Sequence, residues 1–230
     1  MNVSSIALHR AGVYCLLLSV AVLWATASAS AGIIVGATPF LPSPGLGTVA
    51  VPAIVTVVPS NDDVPLPGVL DNNIFVPIKR FDFNGYIDIE FAVLTSGGVT
   101  EYQVFESVDN NTGTNWIGYN MYLGFGVGAG FLPSPAGDGL DFDAPIFTTP
   151  PSSSAMAPPA LGEDALLWSG GVHGAGAETY LFRVDVPDPL ALPPGSTFTL
   201  RQVPVAVPEP STIALVGLVL VSMTAIRRRG

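Results

Sequence analysis

From Phe81 to Val93 the chain alternates with a period of two. Phe81, Phe83, Gly85, Ile87, Ile89, Phe91 and Val93 fall on one face, and Asp82, Asn84, Tyr86, Asp88, Glu90 and Ala92 on the other. Every helical face of this segment would carry acids, so the pattern predicts a strand of an antiparallel sheet with one wet face. Gly85 has no side chain to pack and marks a bulge or bend. Thr95-Ser96-Gly97-Gly98 reads as a turn, and Val99 to Val108 as a second strand, so a hairpin is expected. Asp109 to Gly113 turns the chain again. Trp116 to Val127 follows as a third strand, with Ile117, Tyr119, Met121, Leu123, Phe125 and Val127 together and Gly118, Gly124 and Gly126 opposite. Glycines in that position predict a layer or loop approaching closely.

Around these strands the pattern is weaker. Residues 32 to 70 mix β-branched residues with Pro39, Pro42, Pro44, Pro52, Pro59, Pro65 and Pro67. That reads as an extended arm with one or two short strands, and Pro52 interrupts the run from Val49 to Val58. Phe131 to Pro159 reads as a long loop, and Glu163 to Ser169 as a short apolar stretch ended by Gly170-Gly171. Thr179 to Val186 and Ser196 to Val205 are two further strands. Short strands separated by Gly, Pro and Asn turns predict an all-β fold, a single antiparallel, jelly-roll-like β-sandwich.

The two ends follow a different pattern. Ala11 to Trp24 is an uncharged, largely apolar run after His9 and Arg10, and small residues follow from Ala25 to Ala31. This is the layout of a secretory signal peptide, with cleavage after Ala29 or Ala31. Cys15 lies in that run behind Val13 and Tyr14, which argues against a lipoprotein signal. At the other end stand Val207-Pro208-Glu209-Pro210-Ser211, an apolar run from Ile213 to Ile226, and then Arg227, Arg228 and Arg229. The two prolines end the upstream domain. The arginines place that end of a transmembrane helix in the cytoplasm, so the body faces outward. From Ile213 to Ile226 the helix would reach only ~21 Å, against a hydrocarbon core of ~30 Å.

The expected division is therefore a signal peptide over 1–30, a Pro-rich arm over 31–70, a β-sandwich over 71–206 and a C-terminal signal over 207–230. A signal helix and a transmembrane helix would flank the sandwich. Between the signals, four basic residues (Lys79, Arg80, Arg183, Arg201) face 17 acids, a net charge of −13. Such a surface repels nucleic acid and excludes that class of partner. Cys15 is the only cysteine, so the body has no disulfide or thiol chemistry.

The order Val-Pro-Glu-Pro-Ser, short apolar helix, arginine cluster resembles the PEP-CTERM sorting signal of Gram-negative exported proteins. The body phrases Leu123-Gly124-Phe125-Gly126, Gly139-Leu140-Asp141-Phe142-Asp143, Trp168-Ser169-Gly170-Gly171 and Phe198-Thr199-Leu200-Arg201-Gln202 are similar to pieces shared by such proteins. The resemblance implies export through the general secretion machinery and signal peptidase and transient residence in the inner membrane. It also implies recognition by an exosortase near Pro208-Glu209-Pro210 and delivery to the cell surface or extracellular matrix. It implies no catalytic residues.

Within the body, Asp138, Asp141 and Asp143 are candidate oxygen ligands for Ca²⁺, although the spacing is not that of an EF-hand. The competing reading is a solvated acidic turn with Phe142 packed inward. Tyr86, Trp116 and Trp168 are candidates for stacking on a carbohydrate such as an exopolysaccharide, against the alternative that both tryptophans are core. The Asn110-Asn111-Thr112 triplet is only a formal glycosylation match. His173 is the one histidine of the body and sits in a Gly-rich turn; with no cysteine and no Gly-x-Ser-x-Gly, an enzyme is not expected. The expected product is a non-catalytic surface or matrix protein associated with biofilm, or alternatively a secreted carbohydrate-binding module.

Overall fold

The computed structural model describes residues 32–59, 72–95, 98–143, 150–188 and 197–207. Both terminal signals, including the two expected helices, lie outside the described residues. Among the described residues no helix is long and apolar enough to cross a membrane.

In chain order the strands are β1 (Gly32–Pro39), β2 (Leu46–Val49), β3 (Ala53–Val55), β4 (Asn73–Phe81), β5 (Ile87–Thr95), β6 (Thr100–Asn110), β7 (Trp116–Phe125), β8 (Leu132–Pro133), β9 (Ser152–Ser153), β10 (Ala157–Gly162), β11 (Ala165–Ser169), β12 (Gly176–Val186) and β13 (Thr197–Ala206). They form two sheets. The first runs β1-β5-β13-β7-β11-β10, with β8 on β7, and the second runs β2-β4-β6-β12-β9, with β3 on β4. One continuous apolar core joins them, built from residues such as Ile87, Ile89, Phe91, Tyr102, Val104, Tyr119, Leu123, Phe182 and Leu200. The expected β-sandwich is observed.

The expected hairpin across Thr95–Gly98 is not. β5 pairs with β1 and β13 in the first sheet, while β6 pairs with β4 and β12 in the second. The segment between them crosses from one sheet to the other. Alternation shows which face of a strand is apolar, and here the two apolar faces cover each other across the sandwich rather than lying edge to edge. The crossing also makes β4 and β6 a parallel pair, Asn73 opposite Gln103 and Phe75 opposite Phe105, so the sandwich is not wholly antiparallel.

The alternating run splits where Gly85 stands. Residues 82 to 85 bend, and Phe83 is exposed while Phe81 is buried. A Cβ on Gly85 would lie 2.8 Å from the backbone nitrogen of Gly45, so this bend requires glycine. The Pro-rich segment is woven into both sheets. β1 is the edge of the first, and β2 and β3 pair with β4 in the second, divided at Pro52. The expected close approaches over β7 are present: a Cβ on Gly124 would clash with the Leu132 carbonyl oxygen, and one on Gly118 would meet the Trp168 carbonyl oxygen at 3.0 Å.

Candidate functional site

The tryptophans are core residues. β13 pairs Val205 with Gly118 and Ala206 with Trp116, leaving Ile117 as the extra residue of a bulge. The bulge reverses the face at the start of β7, so Ile117 is exposed and Trp116 is buried. The Trp116 ring stacks on Tyr119 at 5.9 Å and meets Phe81 and His173 edge-on. Trp168 is 1% exposed and packs edge-on against Tyr180 at 5.3 Å. Neither indole offers a face to a sugar, which corrects the expected stacking surface. One face of the third candidate, Tyr86, is covered by the Arg201 guanidinium 4.0 Å from its ring.

The three aspartates do not form a shared site. Asp138 closes its own turn, its carboxylate accepting from Leu140 N–H at 2.9 Å and from Ser134 Oγ–H at 2.7 Å. Asp141 pairs by its backbone with Asp185, and Asp143 is buried with φ 51°. Phe142 packs inward against Phe182. Among the described residues no three His, Cys, Asp or Glu side chains are placed to hold a metal ion. The neighbouring Asp164 feels the crowding of acids. Partial burial, aided by Glu163, Asp138 and Asp141, pushes its pKa up to about 6.

An open surface lies elsewhere. A groove of about 760 Å³ crosses the second sheet over β4, β6, β12 and β9. Strand register builds its floor: Phe75 lies opposite Phe105, Phe105 opposite Leu181, and Leu181 opposite Ser152. The two phenyl rings stack at 5.3 Å and remain 40% and 37% exposed. Ser152, Ser153 and Ser154 supply hydroxyls along one rim. Phe75 and Phe105 were not singled out from the sequence because Phe75 precedes the clear alternation and Phe105 sits on the polar face of its strand.

Two buried charged clusters meet on β13. On β13, adjacent residues point to opposite faces. Arg201 points outward over the first sheet and grips Asp88 with two 2.7 Å bonds. Asp88 also accepts from Gly128 N–H at 2.8 Å, and Arg201 donates to the Gly128 carbonyl at 2.6 Å, between the rings of Tyr86 and Phe131. Gln202 points inward and meets Lys79 and Glu106, all three buried between the sheets. Burial lowers the Lys79 pKa, opposed by the Glu106 carboxylate beside it.

His173 is buried rather than a free loop residue. Its Nε2–H donates to the Gly176 carbonyl and Nδ1 accepts from the Tyr180 hydroxyl, each at 3.1 Å, a neutral tautomer assigned from its partners. Burial lowers its pKa.

At the C-terminal junction β13 ends at Ala206, and Val207 N–H donates to the Asn115 carbonyl at 3.0 Å. Pro208, Glu209, Pro210, Ser211 and the three terminal arginines lie outside the described residues. The model of the PEP-CTERM protein-sorting motif matches residues 206–229. The chain carries a PEP-CTERM sorting motif. No curated protein and no solved structure matches the chain. The motif therefore begins where the sandwich ends, and it marks the chain for export and exosortase-dependent sorting to the cell surface.

Proposed function

We propose that the sandwich is a non-catalytic component of the surface or extracellular matrix of a Gram-negative bacterium, associated with its biofilm or exopolysaccharide. In this reading signal peptidase removes the N-terminal signal after Ala29 or Ala31, just ahead of β1. The C-terminal segment then rests in the inner membrane until an exosortase cuts near Pro208-Glu209-Pro210. The observation that carries the proposal is the junction itself. The sorting motif starts at Ala206 and β1 starts at Gly32, so removing both signals leaves every described strand in place. The test is the intact mass of the protein from cells with and without exosortase. A body ending near Pro210 only when exosortase is present supports the pathway; a C-terminal segment retained in both strains overturns it.

The Phe75–Phe105 groove favours a second reading, a carbohydrate-binding module. Exposed phenyl rings beside a row of hydroxyls match the apolar faces and the hydroxyl groups of a polysaccharide. Retardation in a gel containing the host exopolysaccharide, lost in F75A/F105A, would support it. Equal migration of both proteins with and without polysaccharide would leave only the structural role.

A further inference from the structure

Three side chains from distant parts of the chain meet in the core with no water-exposed surface: Lys79 on β4, Glu106 on β6 and Gln202 on β13. Lys79 Nζ donates to Glu106 Oε2 at 2.6 Å and also contacts Gln202 Oε1. Gln202 Nε2 donates to both Glu106 oxygens at 2.8 Å. The carboxylate thus touches the amine and the amide nitrogen together, while the amine lies against the amide carbonyl. The Tyr119 ring is 5.9 Å from Nζ, and its buried hydroxyl has no hydrogen-bond partner.

We infer that Lys79 and Gln202 become joined by a side-chain amide bond within the folded chain, with Glu106 as the catalytic proton carrier. A lysine in a dry site is a nucleophile when its proton has somewhere to go, and the 2.6 Å bond to Glu106 supplies the acceptor. Burial works in the same direction, since it disfavours the ammonium. The free amine then attacks Cδ of Gln202, forming the N–C bond and moving the carbonyl π pair onto Oε1. Glu106 delivers its proton to Nε2 and takes one from the attacking nitrogen. When the carbonyl re-forms, the C–Nε2 bond breaks and its electron pair leaves on ammonia. Of the five protons first held on Nζ and Nε2, three depart with ammonia, one stays on the new amide and one on Glu106. No oxidant, metal or co-reactant is needed. Holding amine, amide and carboxylate in contact replaces a slow bimolecular reaction with an intramolecular one.

The bond would tie β4 of one sheet to β13 of the other, across 123 positions of sequence. A body whose chain has its only cysteine at Cys15 gains by this route the covalent cross-link that a disulfide gives other exported proteins. The inference is independent of the sorting and groove readings.

The test is peptide mapping of the purified full-length protein by mass spectrometry, with near-ultraviolet circular dichroism to show that each sample is folded. The expected result is one cross-linked species holding the Lys79 and Gln202 peptides, lighter than their sum by one ammonia. K79R and E106A should each restore separate peptides of full mass. Separate, unmodified peptides from folded wild-type protein overturn the inference. So does conversion of Gln202 to glutamate, which would mean that water reaches the site before the amine. A cross-link that persists in E106A overturns the role given to Glu106.

Discussion

Arg201→Met isolates the contribution of the cluster above the first sheet. Asp88 and Arg201 are directly opposed on β5 and β13. The Asp88 side chain is 0% exposed and that of Arg201 16% exposed, so little water screens the pair. Methionine keeps much of the stem that packs between Tyr86 and Phe131 but removes every donor. Asp88 then keeps the Gly128 N–H and loses both charged bonds. Removing one partner of a buried ion pair costs about 3–5 kcal/mol, because the remaining charge is left uncompensated. For a domain of this size each kcal/mol moves Tm by roughly 2–4 °C, so a fall on the order of 10 °C is expected.

The measurement is urea unfolding followed by near-ultraviolet circular dichroism, with the midpoint and slope fitted separately. The companion is D88L/R201M, which removes both charges and fills the space with apolar atoms. It should recover most of the loss, since apolar replacements of buried pairs are often neutral or better. If R201M loses less than about 1 kcal/mol at an unchanged slope, the carboxylate is finding water and the pair behaves as a surface one. The reasoning from burial would then be wrong.

The other predictions concern pH and packing. Burial holds the His173 pKa below its ordinary value, so the unfolded chain takes up a proton near pH 6.5 before the folded one does. Its contribution is therefore complete above about pH 6.5 and is lost as pH falls below it; H173Q should flatten that limb of a stability–pH curve. Asp164 acts in the opposite sense, because the folded state keeps its proton up to about pH 6 while the unfolded chain releases it near 3.8. Stability from this group declines as pH rises through that window, and D164N should remove the decline, read as a higher urea midpoint at pH 7 than wild type. W168A should cost about 3–5 kcal/mol as a buried aromatic truncation, whereas a shift within about 0.5 kcal/mol would return Trp168 to the surface.

Much of the fold was legible from period-two alternation, because burial on one face is what alternation records. Ile87, Ile89, Phe91 and Val93 are all buried on β5, and Tyr180, Phe182 and Val184 on β12. What alternation does not carry is which sheet a strand joins, since hydrogen-bonding edges leave no mark in side-chain polarity. The β5–β6 crossing was lost for that reason. A bulge is likewise invisible when the residues on both sides are apolar, as with Trp116 and Ile117, and that one inserted residue turns Trp116 into the core. The acidic triplet is a different case. Asp138, Asp141 and Asp143 are near in sequence, but Asp138 closes its own turn and Asp141 is tied to Asp185 through its backbone.

The buried charges were missed for a reason that bears on function. Asp88 falls on the face of its strand that reads as wet, and Glu106 is a lone acid on the apolar face of its own; only tertiary pairing reveals that these two and Lys79 are enclosed with partners. The sequence did single out the phrase from Phe198 to Gln202, but it offered no role for it. In the folded chain that phrase is the part of β13 that reaches both clusters, Arg201 outward to Asp88 and Gln202 inward to Lys79 and Glu106. β13 is also the strand that leads directly into the PEP-CTERM motif. Any process that holds or pulls the C-terminal segment acts on this strand first. Its central place in the first sheet, between β5 and β7, and its two anchors oppose extraction of the strand. On the proposed pathway, that lets the membrane-held segment be released without unravelling the domain it delivers.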